Sequence, residues 1–220
     1  MGAPVGQTRG MGRTVTVTGR GRASAAYDEA TLRLAATARA ANPSDATARA
    51  TYSMSAMREA VLGAGADAEK LSTTHVSLNP VHDPWPTVVG YEATLGLAVR
   101  LTDLAHVGSL LVAAIDAGGD GARVDGISFS HSDPAALERA ARDAAYADAL
   151  DKATQYAALA GQTLGEVRHI AEASPSGAVP LGKRPMMAMA DMAGGAPQVD
   201  GGEGGVDAVL TVAWALGPSA

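Results

Sequence analysis

Strand-type and helix-type patterns follow one another along this chain in an order that restricts it to an α+β fold. Residues 14–18 alternate Thr with Val, which is the period of two of a half-buried strand, and Leu32 and Leu34 share one face of a second such segment. We expect these two strands to run back along each other as a hairpin. Further strands are predicted for 71–81, 88–101, 124–130, 166–173 and 206–216. Three helices between them give the order ββ-α-ββ-α-β-α-ββ, with mixed or antiparallel sheets and the helices packed on them.

The three helices are marked by their first residues. Asn42-Pro43, Asp103 and Asp133-Pro134 each place a capping side chain before a helical pattern, and Pro suits the first helical position. Glycines near 63, 118 and 161 supply the stops. The third helix is rich in alanine and is predicted to end at about Ala160. Its inner face is expected to contain Leu137, Ala140, Ala144, Ala147, Leu150, Ala157 and Ala160.

Composition excludes several classes of function. The chain has 220 residues and no Cys, so it has no disulfide, thiol nucleophile or Cys-based metal site. Its net charge is −6 and its 17 basic residues are scattered, so we expect no nucleic-acid partner. No apolar run approaches the ~20 residues of a membrane span. Residues 1–13 are Gly-rich, lack the apolar stretch of a secretory signal and are expected to form a disordered tail; a cytoplasmic location is expected.

Several short segments occur in a fixed order along the chain. They are Thr14-Val-Thr-Val-Thr-Gly-Arg-Gly21 with Asp28-Glu-Ala30, Val76-Ser-Leu-Asn-Pro80, Gly90-Tyr91, Gly126-Ile-Ser-Phe129 with Ser132-Asp-Pro134, Asp151-Lys152-Ala153, Tyr156-Ala157, Ala160-Gly161 with Leu164-Gly165, and Arg184-Pro-Met-Met187. Taken together and in this order, over about residues 14–216, they resemble the SIMPL-domain family, which includes YggE-like oxidative-stress proteins of bacteria.

The resemblance implies an architecture and a tendency to assemble. It implies two lobes, one of residues 14–89 and 165–216 and the other of residues 90–164, and large symmetric homo-oligomers. The family has no established enzymatic reaction, so the resemblance supplies no catalytic residue and no cofactor. Many family members are exported, and this chain departs from them because no signal is recognised in it.

Three groups of residues are weighed as sites. Gly19-Arg20-Gly21-Arg22 resembles part of a phosphate loop, but such a loop needs a helix after it, and a strand kink or bulge is the better interpretation. His75, His82 and Asp83 are weak candidates for a metal site, which wants three or four convergent ligands. The residue types of a hydrolase triad occur at Ser128, His131 and Asp133, but these residues are too close in sequence for nucleophile, base and orienting group to line up. Asp133 is better interpreted as a helix cap.

Four methionines form the most unusual cluster: Met186, Met187, Met189 and Met192. They lie in a Gly-, Pro- and Met-rich segment predicted as a long loop, residues 174–205, within the first lobe. Thioethers give adaptable apolar contacts between protein surfaces, and they also bind Cu(I) and are oxidised. Packing against a neighbouring lobe or subunit, a mobile loop, and copper or redox sensing remain open for this cluster.

The leading hypothesis is a self-assembling protein with no catalytic activity, whose partner is itself. We expect the interface to use the 174–205 loop and one or more strand edges, because exposed edges need covering. The alternatives are a stress protein that binds a metal or small ligand through the Met-rich loop, and an unrecognised hydrolase.

Overall fold

The computed structural model describes residues 13–173, 197 and 199–218, and the order of its elements is the predicted one. The strands are β1 (Thr14–Ala26), β2 (Glu29–Ala40), β3 (Leu71–His82), β4 (Val88–Leu101), β5 (Ala122–Ser130), β6 (Thr163–Glu172) and β7 (Glu203–Gly217). The α-helices of the described residues are α1 (Pro43–Gly63), α2 (Val107–Gly118) and α3 (Pro134–Leu159). The mixed α+β fold with antiparallel sheets is therefore confirmed.

The chain divides into two compact units. Of the described residues, unit 1 contains 13–25, 133–173 and 204–218, and unit 2 contains 26–132, 197 and 199–203. These boundaries differ from the two lobes implied by the resemblance, because β2 and β3 form a sheet with β4, whereas α3 packs on the sheet that holds β7. The tail predicted for 1–13 and the predicted 174–205 loop lie largely outside the described residues, although β7 already begins at Glu203.

Unit 1 is a three-stranded sheet in the order β1-β7-β6 with α3 packed on it. The expected β1–β2 hairpin is wrong, since β1 pairs with β7 and β2 lies in the other sheet. The core combines Trp214 and Val212 of β7 with one face of α3. That face is a row of five buried alanines, hereafter the alanine row: Ala141, Ala145, Ala149, Ala153 and Ala157.

Of the predicted inner face of α3, only Ala157 is buried; Leu137 and Ala144 are half-buried, and the other four residues, Ala140, Ala147, Leu150 and Ala160, are exposed, so the prediction is wrong there. Small apolar residues occupy so many positions of this helix that the sequence alone does not single out one face. The observed row repeats every four residues, which is the ridge that a helix offers to a closely packed neighbour.

Unit 2 is a four-stranded antiparallel sheet in the order β3-β4-β2-β5, with α1 and α2 on one face. The core between the layers contains Leu32 and Leu34 of β2, Met57 of α1, Val99 of β4 and Leu110 of α2. The starts of α1 and α3 are as predicted: Asn42 accepts the N–H of Asp45 and Asp133 accepts the N–H of Ala136, both at 2.9 Å. The predicted cap of the second helix is wrong, because Asp103 caps a 3₁₀ turn, Leu104–His106, and α2 begins after it without a side-chain cap.

Candidate functional site

The hairpin formed by β3 and β4 displays an unusual amount of apolar surface. Its exposed side chains include Val76 and Leu78 on β3 (68% and 45% exposed), Trp85 in the turn (77%) and Val88 and Val89 on β4 (46% and 55%). The turn is held by backbone hydrogen bonds from Asp83 N–H to Thr87 O at 3.1 Å and from Thr87 N–H to Pro84 O at 2.8 Å. Exposed large apolar side chains gathered on one hairpin are a common feature of interaction sites.

Strand β3 is also an edge of its sheet. It pairs with β4 on one side, and no described strand lies on the other. Most of its residues are exposed, and between Leu71 and His82 it contains no Asp, Glu, Lys or Arg. Its outer backbone groups are thus available to another strand, without a charged side chain to keep that strand away.

The weak metal candidates lie on this hairpin but do not converge. His75 is in the middle of β3, opposite Gly96, while His82 and Asp83 are at the turn. Seven residues of strand separate the two histidines, a distance of about 20 Å. The His82 ring packs on Trp85 with 4.3 Å between ring centroids. Among the described residues there is no group of three or more His, Cys, Asp or Glu that could hold a metal ion. The expectation that the chain needs no metal stays a prediction.

The methionine cluster lies outside the described residues. Met186, Met187, Met189 and Met192 all fall in the 174–196 segment. Their proposed role in an interface therefore stays a prediction.

The residues of the triad candidate have separate structural roles. Ser128 accepts a hydrogen bond from Nη1 of Arg33 at 3.2 Å. His131 packs beside Tyr27, with ring centroids 4.7 Å apart. Asp133 accepts the N–H of Ala136 at 2.9 Å and so caps α3, as the sequence suggested.

The glycines of the phosphate-loop candidate serve packing. β1 continues through Gly19-Arg20-Gly21 as one strand, with no phosphate loop there, and the expected kink or bulge stays a prediction. A Cβ at Gly19 would lie 2.7 Å from the Cβ of Ala149 and closer still to the carbonyl oxygen of Ala145. Residues without a Cβ are needed here because α3 lies directly on the strand.

Next to these glycines, the carboxylate of Asp148 on α3 accepts hydrogen bonds that link α3 to β1. Lys152 Nζ donates to the Asp148 carboxylate at 2.6 Å and to the carbonyl of Thr18 at 3.1 Å, and the N–H of Arg20 donates to Asp148 at 2.8 Å. The hydrogen bond from Lys152, followed by that from Arg20, lowers the pKa of Asp148. These contacts fasten α3 to β1.

Sequence reasoning missed a polar cluster at the end of β5. The hydroxyl of Ser132 donates to Asp28 at 2.5 Å and its N–H donates to the same carboxylate at 2.7 Å. These two bonds lower the pKa of Asp28. Neighbouring His131 has an enclosed Nε2 with no hydrogen-bond partner among the described residues. In the sequence, Asp28 comes just before β2 and Ser132 just after β5. Their contact can be expected only once β2 and β5 are known to pair.

One end of unit 2 contains a cavity of about 320 Å³. Lys70 and Arg100 lie at its wall, with Leu101 and Leu110 among its apolar residues. The Asp103 carboxylate on this wall is occupied by the N–H of Ala105 and by Nδ1 of His106, at 3.1 and 2.7 Å. The side chains of Asp103 and His106, just before α2, are therefore hydrogen-bonded to each other.

Within the described residues, no helix is both long and apolar enough to cross a membrane. This agrees with the sequence expectation for membrane spans. The expected cytoplasmic location and the expected absence of a nucleic-acid partner stay predictions.

Two relatives and one solved structure illustrate what the chain is similar to. The chain is 30% identical over 172 residues to the 26 kDa periplasmic immunogenic proteins of Brucella melitensis and of Brucella abortus, which covers 73% of this chain and 66% of each relative. The crystal structure of AtUAH in complex with glyoxylate matches 56% of this chain and 33% of its own, at 14% identity and a TM-score of 0.29. That TM-score is too low to indicate a shared fold.

A family model covers nearly all of the structured chain. It is the model for SIMPL, a protein family of unknown function (DUF541), and it matches residues 15–214. The matched range reaches from β1 to β7, leaving out only the first residue of β1 and the last three of β7, and agrees with the resemblance found in the sequence. This chain belongs to the SIMPL family.

Proposed function

We propose that this chain works by assembling with copies of itself into a symmetric homo-oligomer, and that it catalyses no reaction. The observation that carries the proposal is strand β3, an exposed sheet edge without a charged side chain. The family resemblance also suggests a link to oxidative stress. In this proposal the assembled protein carries that link, without a catalytic site.

The four edge strands of the described sheets differ in charge. Exposed edges are usually protected against pairing by charged side chains, bulges or proline. Three of the four carry charges. β3 carries none; its protective features are Pro80 and register irregularities at Thr73/His75 and Val81/His82, and between these irregularities the register of residues 76–80 is regular. The charged residues of the other edges are Arg20 and Arg22 on β1, Arg123 and Asp125 on β5, and Glu166, Arg168 and Glu172 on β6.

The hairpin adds apolar area to this edge. Val76 and Leu78 lie on the strand itself, and Trp85, Val88 and Val89 lie at and after the turn. Trp is enriched among the residues that dominate the binding energy of protein interfaces, and the aliphatic side chains add apolar area that an interface would bury. An edge with free backbone groups beside exposed apolar side chains favours a protein partner over a small substrate.

Mass photometry of the purified chain, together with light scattering at micromolar concentration, tests the proposal. We expect an oligomer that Val76→Lys shifts toward the monomer, because a Lys on the open edge repels an incoming strand. Val76 is 68% exposed, so circular dichroism should show an unchanged fold.

A matched control uses the opposite edge of the same sheet. Val124 on β5 is 43% exposed and has Arg123 and Asp125 as neighbours. Val124→Lys is expected to leave the oligomer unchanged. A wild-type chain that is monomeric at micromolar concentration would contradict the proposal.

A further inference from the structure

The geometry points to a two-fold interface in which β3 pairs antiparallel with β3 of a second copy, centred on Ser77. This inference rests on the proposed self-assembly and specifies its interface. The two four-stranded sheets would then form one continuous sheet of eight strands.

Pro80 indicates which residues of β3 direct their backbone N–H and C=O groups toward the open edge. Proline has no N–H, so within a sheet it occupies positions whose nitrogen faces the open edge. The register with β4 is regular between Val76 and Pro80, where Pro80 lies opposite Tyr91. Because backbone direction repeats every two residues, Val76 and Leu78 also direct their N–H and C=O groups outward.

The side chains of the same two residues lie on the helix side of the sheet. Val76 is opposite Leu95 and Leu78 is opposite Ala93, and both of these β4 residues belong to the packed cores beneath α1. Helix α1 covers β2 and β4 but leaves Val76 and Leu78 exposed. A cavity of about 180 Å³ between Met54 of α1 and Leu95 of β4 lies next to them. The helix side of β3 is thus an apolar strip that one more strand would cover.

The strip is complementary to itself. With Ser77 on the two-fold axis, Val76 of each copy lies opposite Leu78 of the other, on the helix side of the joined sheet. Opposite residues of an antiparallel pair share a face and contact each other, so two Val–Leu pairs form around the axis. In this register Pro80 lies opposite Thr74, where its missing N–H ends the ladder and keeps it short.

The self-complementary strip favours a second copy as the occupant, and charge on β3 does not oppose it. The chain carries a net charge of −6, so two copies repel each other over most of their surface. Strand β3 is uncharged from Leu71 to His82, so the strand itself brings no like charges opposite each other. The sequence therefore allows closest approach of two copies at this strand.

The absence of Cys makes a direct test possible. Ser77→Cys places two thiols opposite each other at the axis, and opposite residues of an antiparallel pair have Cα separations within the range for a disulfide. Ser72→Cys is the matched control. Ser72 lies on the same strand. It is opposite Ala98 and Ser77 is opposite Thr94, and because Ala98 and Thr94 share one face of β4, Ser72 and Ser77 share the outer face of β3. In the proposed register the two copies of residue 72 are ten residues apart along the strands, about 33 Å.

Both variants are oxidised under identical mild conditions at micromolar concentration and analysed on non-reducing gels, beside mass photometry of the wild type. We expect a reducible covalent dimer for Ser77→Cys, at least about ten-fold more abundant than for Ser72→Cys. If the wild type is oligomeric but Ser77→Cys forms no dimer, or Ser72→Cys forms as much, this interface is wrong while self-assembly stands. If the wild type is monomeric, the proposed function fails and the interface fails with it.

Discussion

Replacing Gly21 by Ala should destabilise unit 1, because α3 lies directly on β1 at this residue. A Cβ at Gly21 would lie 2.8 Å from the carbonyl carbon of Ala144, and closer still to the carbonyl oxygen of Ala141 and the nitrogen of Ala145. All three atoms belong to the helix backbone, so no flexible side chain can move aside. The helix as a whole must withdraw.

The size of the effect follows from the required displacement. Restoring an ordinary contact requires α3 to move by about 1 Å, and a gap of that size loses a quarter to a half of the attraction of each contact behind it. The contacts at risk are those of the alanine row, whose members are at most 2% exposed. Overpacking typically costs 1–3 kcal/mol, and with rigid backbone on both sides we expect about 3 kcal/mol. In a chain of this size that corresponds to a fall in Tm of roughly 6–12 °C.

The two tryptophans make the assay specific to unit 1. Trp214 is 2% exposed in the core of unit 1, whereas Trp85 is 77% exposed on the hairpin of unit 2. The red shift of tryptophan emission during denaturation therefore reports the loss of unit 1. Gly63→Ala, at the end of α1, is the control because a Cβ there meets no atom within 4 Å. An unfolding free energy for Gly21→Ala within about 0.5 kcal/mol of the wild type would refute the reasoning.

Two further substitutions test polar contacts. Ser53→Ala is expected to cost about 1–2 kcal/mol, measured by urea denaturation of unit 2, because the buried hydroxyl donates to the carbonyl of Gly118 at 2.8 Å and leaves it unpaired when removed. Asp148→Asn should be destabilising at neutral pH, and its difference from the wild type should shrink as the pH falls through the lowered pKa of Asp148, because only the ionised carboxylate is favoured by Lys152. Asp151→Asn, at an exposed position with no ion pair among the described residues, should show no such pH dependence; equal behaviour of the two variants would exclude a role for the Asp148–Lys152 pair.

Helix starts were predictable because their cause is local. Asn42 and Asp133 cap α1 and α3 through hydrogen bonds within three residues, whereas Asp103 caps the 3₁₀ turn that precedes α2. Alternation of side chains likewise gave the strand β4 its observed bounds, Val88–Leu101. Information of this kind lies entirely within a short stretch of chain.

Strand partners were not predictable in the same way. β1 and β2 are separated by only two residues and suggested a hairpin, but β1 pairs with β7 at the far end of the chain. At Gly19 and Gly21 the strand packs so closely on α3 that a Cβ would clash with the helix backbone, so the position of β1 depends on α3 as well as on β7. A pairing that depends on a third, distant element leaves no local pattern.

The candidate interface was only partly within reach of the sequence. A strand edge was expected to take part, but which strands form edges depends on the sheet order. The absence of charge between Leu71 and His82 was visible from the start. This absence of charge indicates an interface only when combined with the structure, which places β3 at an edge and leaves Val76 and Leu78 exposed.

Stability and assembly should therefore respond to different substitutions. Gly21→Ala acts on the packing of α3 and leaves β3 untouched, so below its own unfolding transition this variant should assemble as the wild type does. Val76→Lys acts on an exposed side chain and should weaken assembly, while the tryptophan emission of Trp214 reports an unchanged unit 1. If instead Gly21→Ala dissociates the oligomer while unit 1 is still folded, surfaces of unit 1 must contribute to the interface, and β3 alone would not account for the assembly.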